Sequence, residues 1–216
     1  VEYPMSMIRQ TAVAESSRLD FANGVRAMLR QDPDVVLVGE IRDADTARMA
    51  FQAAMTGHQV FSTLHTSSAI GAIPRLLDIG ILPDILAGNI IGILAQRLVR
   101  RLCPVCREGR PAHNYELRLL ALPDLTEPPL LHHPKGCPHC DFQGYRGRLA
   151  IMELLRLDPD LDELVARRAT AREIRQTASQ KGFRPLADDG TRRVLDGETS
   201  LEELCRVVNL TDRMFP

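Results

Sequence analysis

VVLVGEIRD, Val35 to Asp43, sets four aliphatic residues ahead of a glycine and then two acids, Glu40 and Asp43. A short continuous apolar run is expected of a strand buried on both faces of a parallel sheet. Open α/β sheets bind their ligands at the carboxyl ends of strands, which is where Glu40 falls. In phosphoryl hydrolysis a carboxylate there orients the attacking water or holds Mg²⁺, because positioning and charge stabilisation carry most of the catalysis. A solvated loop acid is the plainer alternative. The other half of such a site, a glycine-rich loop ending in Gly-Lys-Ser or Gly-Lys-Thr, is not in the sequence. Its two lysines, Lys135 and Lys181, are each followed by glycine, and no Gly-Lys pair occurs.

The surrounding text alternates strand and helix. Upstream, Ile8 to Ala14 reads as an edge strand, and Asp20 or Asn23 caps a helix that ends at Leu29-Arg30, ahead of Asp32-Pro33. Downstream, Asp43 begins an alanine-rich helix to Met55, closed by Gly57, and Val60 to Leu64 is a second short strand. Ser67 or Ser68 starts the next helix, and Leu82-Pro83 opens one that continues to about Leu98. Short connections between alternating elements indicate an α/β layer over residues 1–102. Within it, TGHQVFSTLHT (Thr56 to Thr66) flanks a strand with two histidines. His65, among hydroxyl side chains at the strand's end, is suited to contact a phosphate. His58 reads equally well as a structural histidine. Seven residues and a strand separate them, which argues against a shared metal, since helical metal pairs use three- or four-residue spacing.

Residues 103–147 differ in character. They carry seven prolines and four glycines with few apolar repeats, too little to bury a core. Two Cys-x-x-Cys pairs, Cys103/Cys106 and Cys137/Cys140, supply a staple instead: four thiolates at this spacing can surround Zn²⁺ tetrahedrally. Unligated thiols are the alternative, and His139 is a minor competitor as ligand. A closed four-cysteine site is structural, and its binding energy is folding energy. From residue 148 to 216 helical patterning returns. RLAIMELLRL reads as a strand or a short helix, followed by Asp160–Arg168, Ala171–Gln180, Leu186–Leu195 and Ser200–Val208. Thr170 and Ser200 are candidate N-caps, Glu203 gives Ser200 a capping-box spacing, and Cys205 is expected in the core. Arg97, Arg100 and Arg101 form a small basic cluster suited to phosphate, an acidic lipid headgroup or an acidic partner; for Arg100 and Arg101 a solvated face is the simplest reading.

Composition narrows the options. A net charge of −1 gives no electrostatic reason for nucleic acid as a bulk partner, and 4% aromatic residues leave few stacking platforms. A zinc-ribbon nucleic-acid module is therefore the weaker alternative. The longest apolar stretch, Ile85 to Ala95, is broken by Asn89 and falls short of the ~20 residues a membrane span needs. The chain opens Val-Glu-Tyr-Pro, without initiator Met or signal core, which fits a fragment of a longer protein.

LRQDPDVVLVGEIRDADTARMAFQAAMTGHQVFSTLHTSSA resembles the secretion ATPase superfamily, the motors of type II secretion and type IV pilus assembly. The paired Cys-x-x-Cys followed by GYRGRLAIMELL resembles the zinc-bearing insertion of the secretion and pilus-extension branches. The resemblance covers nearly the whole chain, while PMSMIRQTAVAES departs from the family's usual wording. It implies a partial RecA-like parallel sheet, a tetracysteine insertion and a small helical subdomain, with the phosphate loop lying upstream. It implies Gly39-Glu40 as the Walker B end, with Glu40 activating water, and His65 as phosphate sensor supported by His58. It places Arg97 near the nucleotide, makes Glu2 the last acid of the upstream acidic box, and puts zinc on Cys103, Cys106, Cys137 and Cys140. It further implies ATP and Mg²⁺, a homo-hexamer, anchor and platform proteins at the cytoplasmic face of the bacterial inner membrane, and no specific nucleic acid. A chain without the phosphate loop is expected to be inactive alone; a non-catalytic scaffold docking to the same machinery is the other reading.

Overall fold

The computed structural model describes residues 3–13, 20–122, 125 and 127–210. They form two units: one from the residues up to Ile93 with Arg156–Ala178, the other from Leu94–Leu155 with the residues from Ser179 on.

In the first unit, α1 (Phe21–Met28) is capped by Asp20, whose carboxylate accepts from the Asn23 N–H at 2.6 Å. A single 3₁₀ turn, Leu29–Gln31, follows, and Asp32 at φ +49° reverses the chain before Pro33. β1 (Val35–Val38) pairs in parallel with β2 (Gln59–Ser62), with Val35 opposite Gln59 and Val38 opposite Ser62. Between them α2 (Ala44–Met55) is capped by Asp43. α1 and α2 pack on each other, α1 on β1 and α2 on β2. This covers one face only: Val36 and Val38 are buried, while Val35 and Leu37 are 57% and 71% exposed. The two-face burial expected of the apolar run is thus not found. The β1–β2 sheet has two strands, and the second face that carries Val35 and Leu37 is open.

α3 (Ala72–Ile79) ends at Gly80, φ +101°, and α4 (Pro83–Leu86) is a single turn. The helix expected to reach Leu98 stops there. Gly88 takes φ +76°, which breaks the helix, and the aliphatic run beyond enters strand β3 (Gly92–Leu102). α6 (Pro159–Ala166), capped by Asp158, packs on α4, and α7 (Ala171–Gln180) starts at a reciprocal cap between Thr170 and Glu173. Ile8–Val13 form no strand. The Gln10 side chain bonds Met5 N and Tyr3 O and folds the segment on itself, and Ala14 lies outside the described residues.

In the second unit, β3 pairs with β6 (Tyr145–Arg156), so RLAIMELLRL lies largely in a strand. β4 (Glu108–Pro111) and β5 (Leu130–His133) form an antiparallel ribbon, with α5 (Asn114–Leu119) between them in sequence. α8 (Leu186–Leu195) packs on β5 and on α9 (Leu201–Val207). The buried Glu153 accepts from Leu186 N at 2.7 Å, so a carboxylate from β6 meets the amino end of α8. Ser200 caps α9 by accepting from Glu203 N, but the Glu203 carboxylate turns away to Arg100 and Arg206. Cys205, expected in the core, is exposed; α9 buries Leu201, Glu203 and Leu204 instead. No described helix is long and apolar enough to cross a membrane.

Candidate functional site

Just past β1 the chain bends at Gly39 and is tied to the loop after β2. Ile41 N donates to Thr63 O at 3.0 Å, and Thr63 Oγ1 donates to Gly39 O at 2.7 Å. The Phe21 ring lies beside Gly39, where an added Cβ would sit 3.5 Å from Phe21 Cε1. Glu40 and His65 thereby leave the carboxyl ends of adjacent parallel strands, and His65 Nε2 reaches Glu40 Oε2 at 3.3 Å. Glu40 is 20% exposed and His65 85%. The other carboxylate oxygen, Oε1, meets Arg42 Nη2 at 2.7 Å. That hydrogen bond is the main influence holding the Glu40 carboxyl below its usual range; partial burial pushes it up, and the charges of Arg42 and His65 with the His65 hydrogen bond push it down.

The other anticipated residues fall elsewhere. His58 precedes Gln59 at the far end of the strand pair, where its Nδ1 meets Ala53 O at 3.0 Å and Thr56 Oγ1 at 3.1 Å, closing α2. Arg97 lies on β3 in the second unit and donates to Gln96 O at 2.8 Å. Glu2 lies outside the described residues. Arg42 is the residue that sequence reasoning passed over. Its signal was present: Glu40-Ile41-Arg42 sets acid and base two residues apart, and in the fold they meet at 2.7 Å.

The second cluster is the four cysteines. Cys103 and Cys137 Sγ are 4.0 Å apart, Cys106 and Cys140 3.8 Å, Cys137 and Cys140 3.8 Å, and all four sulfurs lie within 4.8 Å of one another. Tetrahedral Zn–S bonds of about 2.3 Å require S···S separations of about 3.8 Å, so this donor set fits one metal of that kind. Burial pushes the Cys140 thiol up, but N–H donors from Cys137 at 3.3 Å and Gly144 at 3.2 Å outweigh it and favour the thiolate. The turn geometry demands glycine: Gly136 (φ +98°) would put a Cβ 2.6 Å from Phe142 O, and Gly144 (φ +74°) one 2.4 Å from Pro134 Cβ. His139 is no ligand here; its ring faces Arg146 Nη1 at 2.6 Å.

Residues 1–206 match the family model described as type II/IV secretion system protein. The chain is 49% identical over 207 residues to type II secretion system protein E of Pseudomonas aeruginosa, covering 96% of this chain and 41% of that relative. It is 44% identical to the type IV pilus assembly ATPase TfpB of Acinetobacter baylyi, over 98% and 37% of the respective chains. The chain thus spans about two fifths of the length of the curated relatives it matches. Among solved structures, the pilus retraction motor PilT with bound ADP superposes with a TM-score of 0.61 at 26% identity, covering 88% of this chain and 44% of that one. The ATPase DotB of Legionella pneumophila shares the fold at a TM-score of 0.57 and 23% identity, over 87% and 42%. The family match over most of the chain, together with these relatives, leads to one conclusion: the chain belongs to the type II/IV secretion system protein family.

Proposed function

We propose that the chain contributes the water-activating side of an ATP-hydrolysing site in a motor that powers type II secretion or type IV pilus assembly. The observation that carries this reading is the Glu40–His65 pair at the carboxyl ends of two parallel strands. Glu40 accepts a hydrogen bond from the attacking water and aims it at the γ-phosphorus. As the bond from that phosphorus to the ADP oxygen breaks, Glu40 takes a proton from the water as general base and passes it to the released phosphate. His65, largely exposed, faces the phosphate and donates to it, with Gly39 keeping the approach open; His58 holds the far end of the strand. Mg²⁺ bound with ATP would supply positive charge to offset that of the phosphates. The sheet is part of a RecA-like core over residues 1–102, residues 103–147 form a subdomain stapled by Zn²⁺ on Cys103, Cys106, Cys137 and Cys140, and residues 148–216 form a helical subdomain. The motor assembles as a homo-hexamer against inner-membrane anchor and platform proteins, on the cytoplasmic side.

ATP turnover by the protein at its natural length tests this. Glu40→Gln lowers kcat by about 10²- to 10⁴-fold, the range for a lost general base. A variant that keeps wild-type turnover rules the reading out. The chain Val1–Pro216 by itself, with no Gly-Lys-Ser/Thr loop to cradle phosphate, shows no turnover above background.

A further inference from the structure

We propose that Arg42 is a positioning residue for Glu40, fixing the carboxylate against His65 at the carboxyl ends of β1 and β2; the assignment rests on the hydrolysis reading above. The backbone on both sides of Arg42 is pinned. Ile41 is 7% exposed and bonded to Thr63 O, and Asp43 accepts from Thr46 N at 2.8 Å and Thr46 Oγ1 at 3.0 Å as the cap of α2. The guanidinium thus reaches Glu40 from a backbone held on both sides. The two carboxylate oxygens are divided between two elements: Oε1 to Arg42 from the β1 extension, Oε2 to His65 from the loop after β2. Two contacts from different directions define the carboxylate plane, which one could not do.

Stability does not account for the pair. Arg42 is 70% exposed, and exposed ion pairs contribute little to folding. Nearby Arg48 pairs with Asp45 at 3.0 Å with similar exposure, 63%, but on the outer surface of α2. It is a matched control. Among the described residues, Arg42 and His65 are the charged or titratable groups set against Glu40, and the Arg42 hydrogen bond does most to keep that carboxylate ionised.

The test compares Arg42→Ala, Arg42→Lys, Arg48→Ala and Glu40→Gln in the protein at its natural length. Arg42→Ala is expected to lower kcat about 10- to 100-fold, as misplacement of a catalytic group does, with KM little changed. Its acid limb moves to higher pH, since Glu40 loses the donor that depresses its pKa. Arg42→Lys restores part of both, and Arg48→Ala changes neither. Wild-type kcat and an unmoved acid limb in Arg42→Ala, beside an inactive Glu40→Gln, overturn the assignment and leave the hydrolysis reading standing. Full activity in Glu40→Gln overturns that reading and the assignment with it. A carbon-13 titration of the Glu40 carboxyl in Val1–Pro216 decides independently: the midpoint rises in Arg42→Ala but not in Arg48→Ala. An unchanged midpoint in Arg42→Ala overturns the assignment.

Discussion

Glu40 and Glu203 are both carboxylates gripped by arginine, and their surroundings give them opposite roles. Glu40 is partly exposed and holds one oxygen against the exposed Arg42 guanidinium and the other against an exposed histidine, an arrangement open to water. Glu203 has no exposed side-chain surface. It accepts from Arg100 N at 2.9 Å and Nε at 2.8 Å, and from Arg206 Nε at 3.0 Å and Nη2 at 2.7 Å, while Arg100 lies 4.1 Å over the Tyr145 ring. Burial pushes the Glu203 carboxyl up, but the hydrogen bonds from Arg206 and Arg100 bring it down to about 2. Its folded pKa is depressed, so its stabilisation is complete above the unfolded value of 4.5 and is lost as pH falls toward 2. Glu203→Gln should lower stability by about 2 kcal/mol at neutral pH, the scale of hydrogen bonds to a charge. Urea unfolding at pH 7 and pH 3 checks this: the gap between wild type and variant should shrink in acid. The sequence made Glu40, His65 and the four cysteines legible because each sits in a local pattern. Arg100–Glu203 was not, since its partners are 103 residues apart and only folding joins them.

At the scale of elements, local chemistry was most readable where side chains act on their own backbone. Asp43, Thr170 and Ser200 each cap the helix expected of them. Asp43→Ala should cost about 1 kcal/mol, as lost caps do, measurable as a lower thermal midpoint. Patterning failed where an aliphatic run suits two structures. Leu82 to Leu98 reads as one helix, yet the segment breaks at Gly88 and its later half pairs as a strand with residues beyond the tetracysteine segment. That pairing is non-local, so no window of sequence displays it. Helix packing adds a constraint that composition hides. Gly190 on α8 faces the buried Leu204 of α9, and a Cβ there would lie 2.3 Å from Leu204 Cδ1. Gly190→Ala, a favourable change by helix propensity, should instead destabilise by about 1–3 kcal/mol through overpacking, read from denaturant midpoints.

Over the whole molecule, the chain leaves the first unit at Ile93, returns at Arg156 and leaves again after Ala178. Linear reading divides a chain by changes in composition, and so finds segments where contacts find interleaved units. The cysteine cluster belongs wholly to the second unit. With Zn²⁺ as its occupant, chelation should raise amide exchange across β3–β6 and β4–β5 while β1, α2 and β2 keep their protection, because units of this kind open separately. Cys137→Ser should abolish stoichiometric zinc in the purified chain and reproduce that exchange pattern. Equal loss of protection in both units would contradict this.

The position of the cluster has a consequence for the order in which the chain folds. Cys103 follows the last residue of β3, and Cys103 N donates to Gly144 O one residue before β6 begins. To pair, these strands must close an excursion of roughly 40 residues, a search whose entropy is spent before any contact rewards it. A metal that gathers both cysteine pairs closes the excursion beforehand and leaves the strands to zip from a fixed end. With a metal on these cysteines, its supply should set the refolding rate of this unit as well as its stability.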